Sequence, residues 1–300
     1  MADRRDILSL MGGLILAGST GGPAWAQTPF QSRRIAVSVR GQGPGMGPDL
    51  ILIPGLASTA EVWRGTATRL ERRYRLHLVS VRGFGDLEAQ DNGNGPLLAP
   101  VANDIRRYIA EQRLNRPAII GHSMGGQIGV RVAADAGGAV GRLMTVDSSP
   151  FFPALISPQA TTADVEPLAQ VAYQALQFLG DEVLLARGRE MGVELGGASD
   201  ALFGSIGWQG GDRRVLAQAL YEVMTVDLRP RLADVRVPVT VAYGWSPDEA
   251  SARSRTDALF RAAYARLPTP ATFERIEGAE HMVMIDQPTR FLAAVDRFLA

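Results

Sequence analysis

The chain has 300 residues, 46% of them hydrophobic, enough for one sizeable core with a smaller layer added to it. Its basic and acidic residues are equal in number, 31 of each, so no global field would hold nucleic acid or an anionic membrane surface. Cysteine is absent and only three histidines occur, far apart at 77, 122 and 281, which excludes disulfides, thiolate chemistry and Cys-ligated metals and argues against a His-built metal site.

Residues 1–26 read as an export signal. Arg4 and Arg5 precede an apolar stretch over 7–17, and Ala24-Trp25-Ala26 fits a small-residue cleavage site. The stretch is too short to span a bilayer comfortably, so no stable membrane span is expected. The paired arginines followed by Asp6, Ile7 and Leu8 resemble the twin-arginine class of bacterial signals. The expectation is an exported protein, periplasmic or secreted, whose mature chain starts near Gln27.

From residue 33 onward, β-rich runs alternate with helical spacing. Residues 34–39 read as a first strand, and the Gly/Pro-rich stretch 41–48 as a loop. Leu50-Ile51-Leu52-Ile53 is a continuous apolar run ended by Pro54-Gly55, the pattern of a strand buried on both faces. Residues 76–81 form another strand. Residues 99–113 have helical spacing, with Val101, Ile105, Tyr108 and Ile109 on one face. A strand over 117–120 stops at Gly121, a helix follows over 128–134, and 143–146 is a further strand. Residues 151–230 break the rhythm, with no convincing strand but helical stretches over 163–179, 182–191 and 213–224. Strands return at 237–242 and 272–276, and 291–299 closes the chain as a helix. The alternation predicts an α/β domain with a mostly parallel sheet, formed by 27–150 and 231–300, and a helical cap over 151–230 inserted between core strands.

Gly121-His122-Ser123-Met124-Gly125-Gly126 fits G-x-S-x-G and sits between a strand and a helix, the setting a nucleophile elbow requires. Glycines flank the serine because side chains there would collide with neighbouring backbone. The helix N-terminus directs free N–H groups towards developing negative charge. A serine hydroxyl also needs a nearby base. His77 lies inside a strand and His122 inside the elbow, where it packs or braces. That leaves His281, in Gly278-Ala279-Glu280-His281-Met282, between the last strand and the closing helix.

These features resemble the α/β-hydrolase superfamily, in its capped, single-domain, esterase-like branch, over residues 34–300. The chain order of Ser123, an acid and then His281 is the order of that family, and the family keeps its catalytic histidine where His281 stands. Pro54-Gly55-Leu56-Ala57 resembles the family's H-G-x-x oxyanion loop, with proline in place of the histidine. The resemblance implies backbone oxyanion donors at Leu56 and Met124. It also implies an acid after the strand that ends near Ala242. That makes Asp248, in Gly244-Trp245-Ser246-Pro247-Asp248, the first choice, with the register left open by Glu249. Asp147, at the end of the preceding core strand, is the rival, since some members carry the acid there.

The expected reaction is hydrolysis of a carboxylic ester or related small-molecule acyl compound, with no cofactor and no metal. Alternatives within the fold are a lactonase, a C–C bond hydrolase or a cofactor-free haloperoxidase-like activity. Epoxide hydrolases and haloalkane dehalogenases of the family would need Asp at 123. A ligand-binding member without turnover is the reading from a different class. Phe151, Phe152, Phe203, Trp208, Met224 and Trp245 are candidates for core or pocket wall, and as a group they hint at an apolar acyl or alcohol moiety.

Overall fold

Along the apolar run at 50–53, consecutive side chains leave in opposite directions: Ile51 and Ile53 enter one core, Leu50 and Leu52 another. A central sheet covered on both faces follows from that alternation. The structure, a computed structural model, describes residues 30–41, 47–178, 210–247 and 252–300. The expected signal over 1–26, the expected helix over 182–191, Phe203, Trp208, Asp248 and Glu249 lie outside them.

Among the described residues one 7-stranded sheet forms from β1 (Ile35–Arg40), β2 (Leu50–Ile53), β3 (Leu76–Val81), β4 (Ala118–His122), β5 (Arg142–Val146), β6 (Val239–Trp245) and β7 (Thr272–Glu277). Its order is β1-β3-β2-β4-β5-β6-β7; β1 is antiparallel to β3 and every other pair is parallel. On one face lie α2 (Leu98–Glu111), α3 (Met124–Asp135) and α6 (Arg253–Ala263). On the other lie Trp63, α1 (Arg64–Leu70) and the closing α8 (Pro288–Leu299), preceded by the short α7 (Val283–Asp286). The helices α1 and α6 were not expected from spacing. Each buries only three side chains, Thr66, Ala67 and Leu70 in α1 and Thr256, Phe260 and Ala263 in α6, too few to show a periodic face.

Among the described residues between β5 and β6 lie two α-helices where the sequence predicts helix, α4 (Thr162–Phe178) packed on α5 (Arg213–Thr225). The described residues therefore form a mostly parallel α/β sheet with a helical cap, the architecture the resemblance implies. No helix among the described residues is long and apolar enough to cross a membrane.

The two described cap helices are held differently. Just before α5, Asp212 donates its N–H to the Gly83 carbonyl at 2.7 Å, and Gly85 N–H donates to Gly210 at 2.9 Å. The buried carboxylate of Glu222, on α5, then accepts the N–H groups of Leu97 and Leu98 at 2.6 and 2.9 Å. It thereby caps α2 from 124 residues away in sequence. Gln127 of α3 donates to the Val223 and Ser149 carbonyls, both at 3.2 Å. The helix α5 thus belongs to the core cluster of α2 and α3, whereas α4 leaves Leu168 and Val171 75% and 62% exposed.

Replacing Glu222 by Ala strands two buried amides at about 1–2 kcal/mol each. The melting temperature should fall by about 5–10 °C. Glu222→Gln, which keeps one acceptor oxygen, should lose about half as much. Thermal unfolding followed by circular dichroism measures both, and equal losses would contradict the capping role.

Candidate active site

The parallel pairing of β4 with β5 sets His122 opposite Val146, so the next residues, Ser123 and Asp147, leave the sheet side by side. The bond from Ser123 N–H to the Val146 carbonyl, 2.9 Å, carries the pairing into the turn. Both residues have positive φ, 52° at Ser123 and 45° at Asp147. Ala57, beyond β2 on the other side of β4, has φ 58°. Three neighbouring strands therefore end in backbone that L-residues rarely adopt, each case costing about 1–3 kcal/mol. That strain makes the carboxyl-terminal edge of β2, β4 and β5 the candidate site.

The elbow is tight. A Cβ at Gly125 would collide with the backbone carbonyls of Ile53 and Pro54, so glycine there lets β2 and the start of α3 touch. Met124 opens α3, where the first N–H groups have no intrahelical acceptor. Among the described residues neither the Met124 amide nor the Leu56 amide donates to a backbone carbonyl. The loop after β2 reaches Ser123: a Cβ built on Gly55 would lie 3.2 Å from Ser123 Cβ. Ser123 itself is buried, as are Leu56 and Met124.

His281 arrives from beyond β7. Its Nδ1 lies 2.7 Å from Asp147 Oδ2. The other Asp147 oxygen, Oδ1, accepts the Gly244 N–H at 3.1 Å. To reach Asp147 the segment 278–281 must cross the end of β6. Gly278 N–H donates to the Trp245 carbonyl at 2.8 Å, and Trp245 bridges Ala279. A Cβ at Gly244 would collide with the carbonyls of Ala279 and Glu280, so glycine is what lets the segment cross there. Glu280 N–H donates to Asp286 at 2.9 Å, and the His281 carbonyl lies 2.8 Å from His122 Nε2. Asp147 thus occupies the position beside the His281 ring, while Asp248 and Glu249, the other expected acids, lie outside the described residues.

Other supporting groups carry no sequence signal, because they act from far along the chain. The buried Tyr264 hydroxyl lies 3.0 Å from Thr145 Oγ1 and 2.9 Å from the Ser148 carbonyl, so it braces both sides of Asp147. Ser148 Oγ donates to the Ser123 carbonyl at 2.7 Å, joining the two strained turns. Of the apolar candidates, Phe151 is fully buried beneath the Arg229 guanidinium, 4.8 Å from its ring, and is a core residue. Trp245 is buried under Arg253, at 4.6 Å.

Burial, helped by the neighbouring His281, pushes the His122 pKa from 6.5 down to about 3. Burial also lowers that of His77 in β3. The His122 ring is therefore neutral in the fold and protonates only when it opens. Below pH 6.5 the unfolded chain then binds more protons than the folded one. Stability should be full above that pH and fall by up to about 1.4 kcal/mol per pH unit from His122 as the solution is acidified, with His77 adding in the same direction. Urea midpoints at pH 7.5 and pH 5 measure the loss, and His122→Gln should make it shallower; identical slopes would contradict the assignment.

Residues 50–295 match the α/β-hydrolase family. The pimeloyl-[acyl-carrier protein] methyl ester esterase of Pectobacterium atrosepticum is 32% identical, over 65% of this chain and 74% of its own. The enzyme of that name from Aeromonas salmonicida is 29% identical, over 85% of this chain and 96% of its own. Among solved structures, the enol-lactonase of Burkholderia xenovorans superposes with a TM-score of 0.60 at 19% identity, covering 88% of this chain and 96% of its own. At that identity the likeness is one of fold.

Proposed function

The chain belongs to the α/β-hydrolase family, and from that premise we propose that it is a serine esterase acting on small-molecule carboxylic esters through Ser123, His281 and Asp147. The observation that carries the reading is the 2.7 Å contact of His281 Nδ1 with Asp147, beside a strained serine elbow. In this reading Ser123 Oγ attacks the ester carbonyl while His281 Nε2 takes its proton. The Leu56 and Met124 N–H groups hold the oxyanion, the protonated His281 releases the alcohol, and water then hydrolyses the acyl-enzyme. Asp147 keeps the Nδ1–H tautomer in place and stabilises the imidazolium. The esterase names of the relatives support an ester, with methyl esters among the substrates to test.

Ser123→Ala should lower kcat on p-nitrophenyl and methyl esters by several orders of magnitude at unchanged melting temperature. A fluorophosphonate should label the wild-type protein on the peptide containing Ser123. Retention of a tenth of wild-type activity would remove Ser123 from its role. Asp147→Asn should lower kcat about 10⁴-fold, and Asp248→Asn should stay within tenfold of wild type. The reverse pattern would move the acid to the strand that ends near Ala242. Lactones run in parallel separate an esterase from a lactonase.

We also propose that residues 1–26 direct export by the twin-arginine route and are then removed. What supports this is the signal-like pattern of those residues. The Phe30 ring packs edge-on against Tyr108 at 4.9 Å, with the Arg107 guanidinium 4.8 Å above it. A chain starting at Gln27 should match the full chain in melting temperature and kcat, and the exported product should begin near Gln27 by N-terminal sequencing. Replacing Arg4 and Arg5 by Lys should hold the protein in the cytoplasm, and export at the wild-type level would instead indicate a general secretory signal.

A further inference from the structure

We propose that His122 is a positioning residue, which joins the base-bearing segment to the nucleophile elbow and backs the oxyanion loop, so that three separate strand ends keep one register. The inference rests on the serine-esterase reading above and extends it to a group that makes no contact with substrate in that reaction.

The His122 ring is buried in the middle of the elbow, one residue before Ser123, with Trp63 edge-on at 6.5 Å between centroids. Its centroid lies 4.6 Å from that of His281, and its Nε2 lies 2.8 Å from the His281 carbonyl oxygen. A carbonyl can only accept, so the ring proton sits on Nε2 and donates. The opposite edge faces the loop after β2: a Cβ on Gly55 would approach His122 Nδ1 to 2.7 Å. One rigid, five-membered ring thus touches the backbone of the base and the backbone of the oxyanion loop, and is covalently next to the nucleophile.

The charge state fits this role. A protonated ring here would place a second cation beside His281 just as that residue gains its own proton. Burial removes that conflict, because the ring stays neutral throughout the range in which an esterase works. A leucine or phenylalanine could fill the same space but could not hold the His281 carbonyl. The segment 280–282 would then be free to shift by a fraction of an ångström, and a displacement of about 1 Å can cost about 100-fold in rate.

The test compares His122→Phe and His122→Leu, which lack the donor, with His122→Gln, whose side-chain amide can donate from nearly the Nε2 position. Each is measured for kcat and KM on p-nitrophenyl butyrate, for the rate of fluorophosphonate labelling at Ser123, and for melting temperature. Phe and Leu should lower kcat by about 10- to 100-fold with KM within about threefold, and labelling should slow by a similar factor. Gln should recover kcat to within about fivefold of wild type. Should one apolar variant fail to fold, the other and the Gln variant still decide. A folded apolar variant with kcat within threefold of wild type overturns the proposal, as does a folded Gln variant no better than Phe or Leu. If the wild-type protein shows no Ser123-dependent turnover, the esterase reading falls and this inference with it. Turnover that is indifferent to His122 overturns the inference alone.

Discussion

The hydrogen bond from Ser123 N–H to the Val146 carbonyl is the constraint on which the site depends. It extends the β4–β5 ladder one residue past the strands and so fixes the turn at Ser123 relative to the turn at Asp147. Without it, Ser123 and Asp147 would each start a loop of its own. With it, the positions of both follow from sheet register, and only the histidine has to be delivered from elsewhere. That delivery is where the fold spends its special residues: glycine at 244 to clear the crossing, Asp286 to hold Glu280, and His122 to hold the His281 carbonyl.

Much of this was legible in the sequence, and the reasons are local. The elbow could be read because strand, G-x-S-x-G and helix are contiguous. His281 could be read because only three histidines exist and the other two lie inside structural elements. The partner of His281 was harder to read. Asp147 and Asp248 both follow core strands, and neither sequence context says over which strand end the segment 278–281 will pass. That depends on contacts such as the bridge of Trp245 with Ala279 and the bond from Gly278 N–H to the Trp245 carbonyl, which join β6 to a loop more than thirty residues away. The braces Tyr264 and Glu222 were invisible for the same reason: each acts on a partner more than a hundred residues distant. The helices α1 and α6 escaped because so few of their residues are buried.

The helical region between β5 and β6 is not one mechanical unit. The second cap helix, α5, shares the core cluster of α2 and α3 and caps α2 through a buried carboxylate. The first, α4, packs on α5 and turns apolar side chains to the outside. Changes to α5 therefore reach the nucleophile helix directly, through Gln127 and the Val223 carbonyl. Changes to the outer face of α4 do not. On the proposed reading, selectivity can drift on the outer helix while the inner one is held by the stability of the core.

The left-handed backbone at Ala57, Ser123 and Asp147 carries an evolutionary consequence. Glycine would relax each position, so selection for thermal stability alone would favour glycine at all three. At Ser123 and Asp147 that path ends in a more stable protein that, on the esterase reading proposed above, has lost its nucleophile and its acid. Ala57 alone has no reactive side chain to lose. The strand ends thus record an unequal bargain between robustness and chemistry, open to improvement at one residue and closed at the other two. A lineage that has given up turnover should betray itself by glycines at 123 and 147.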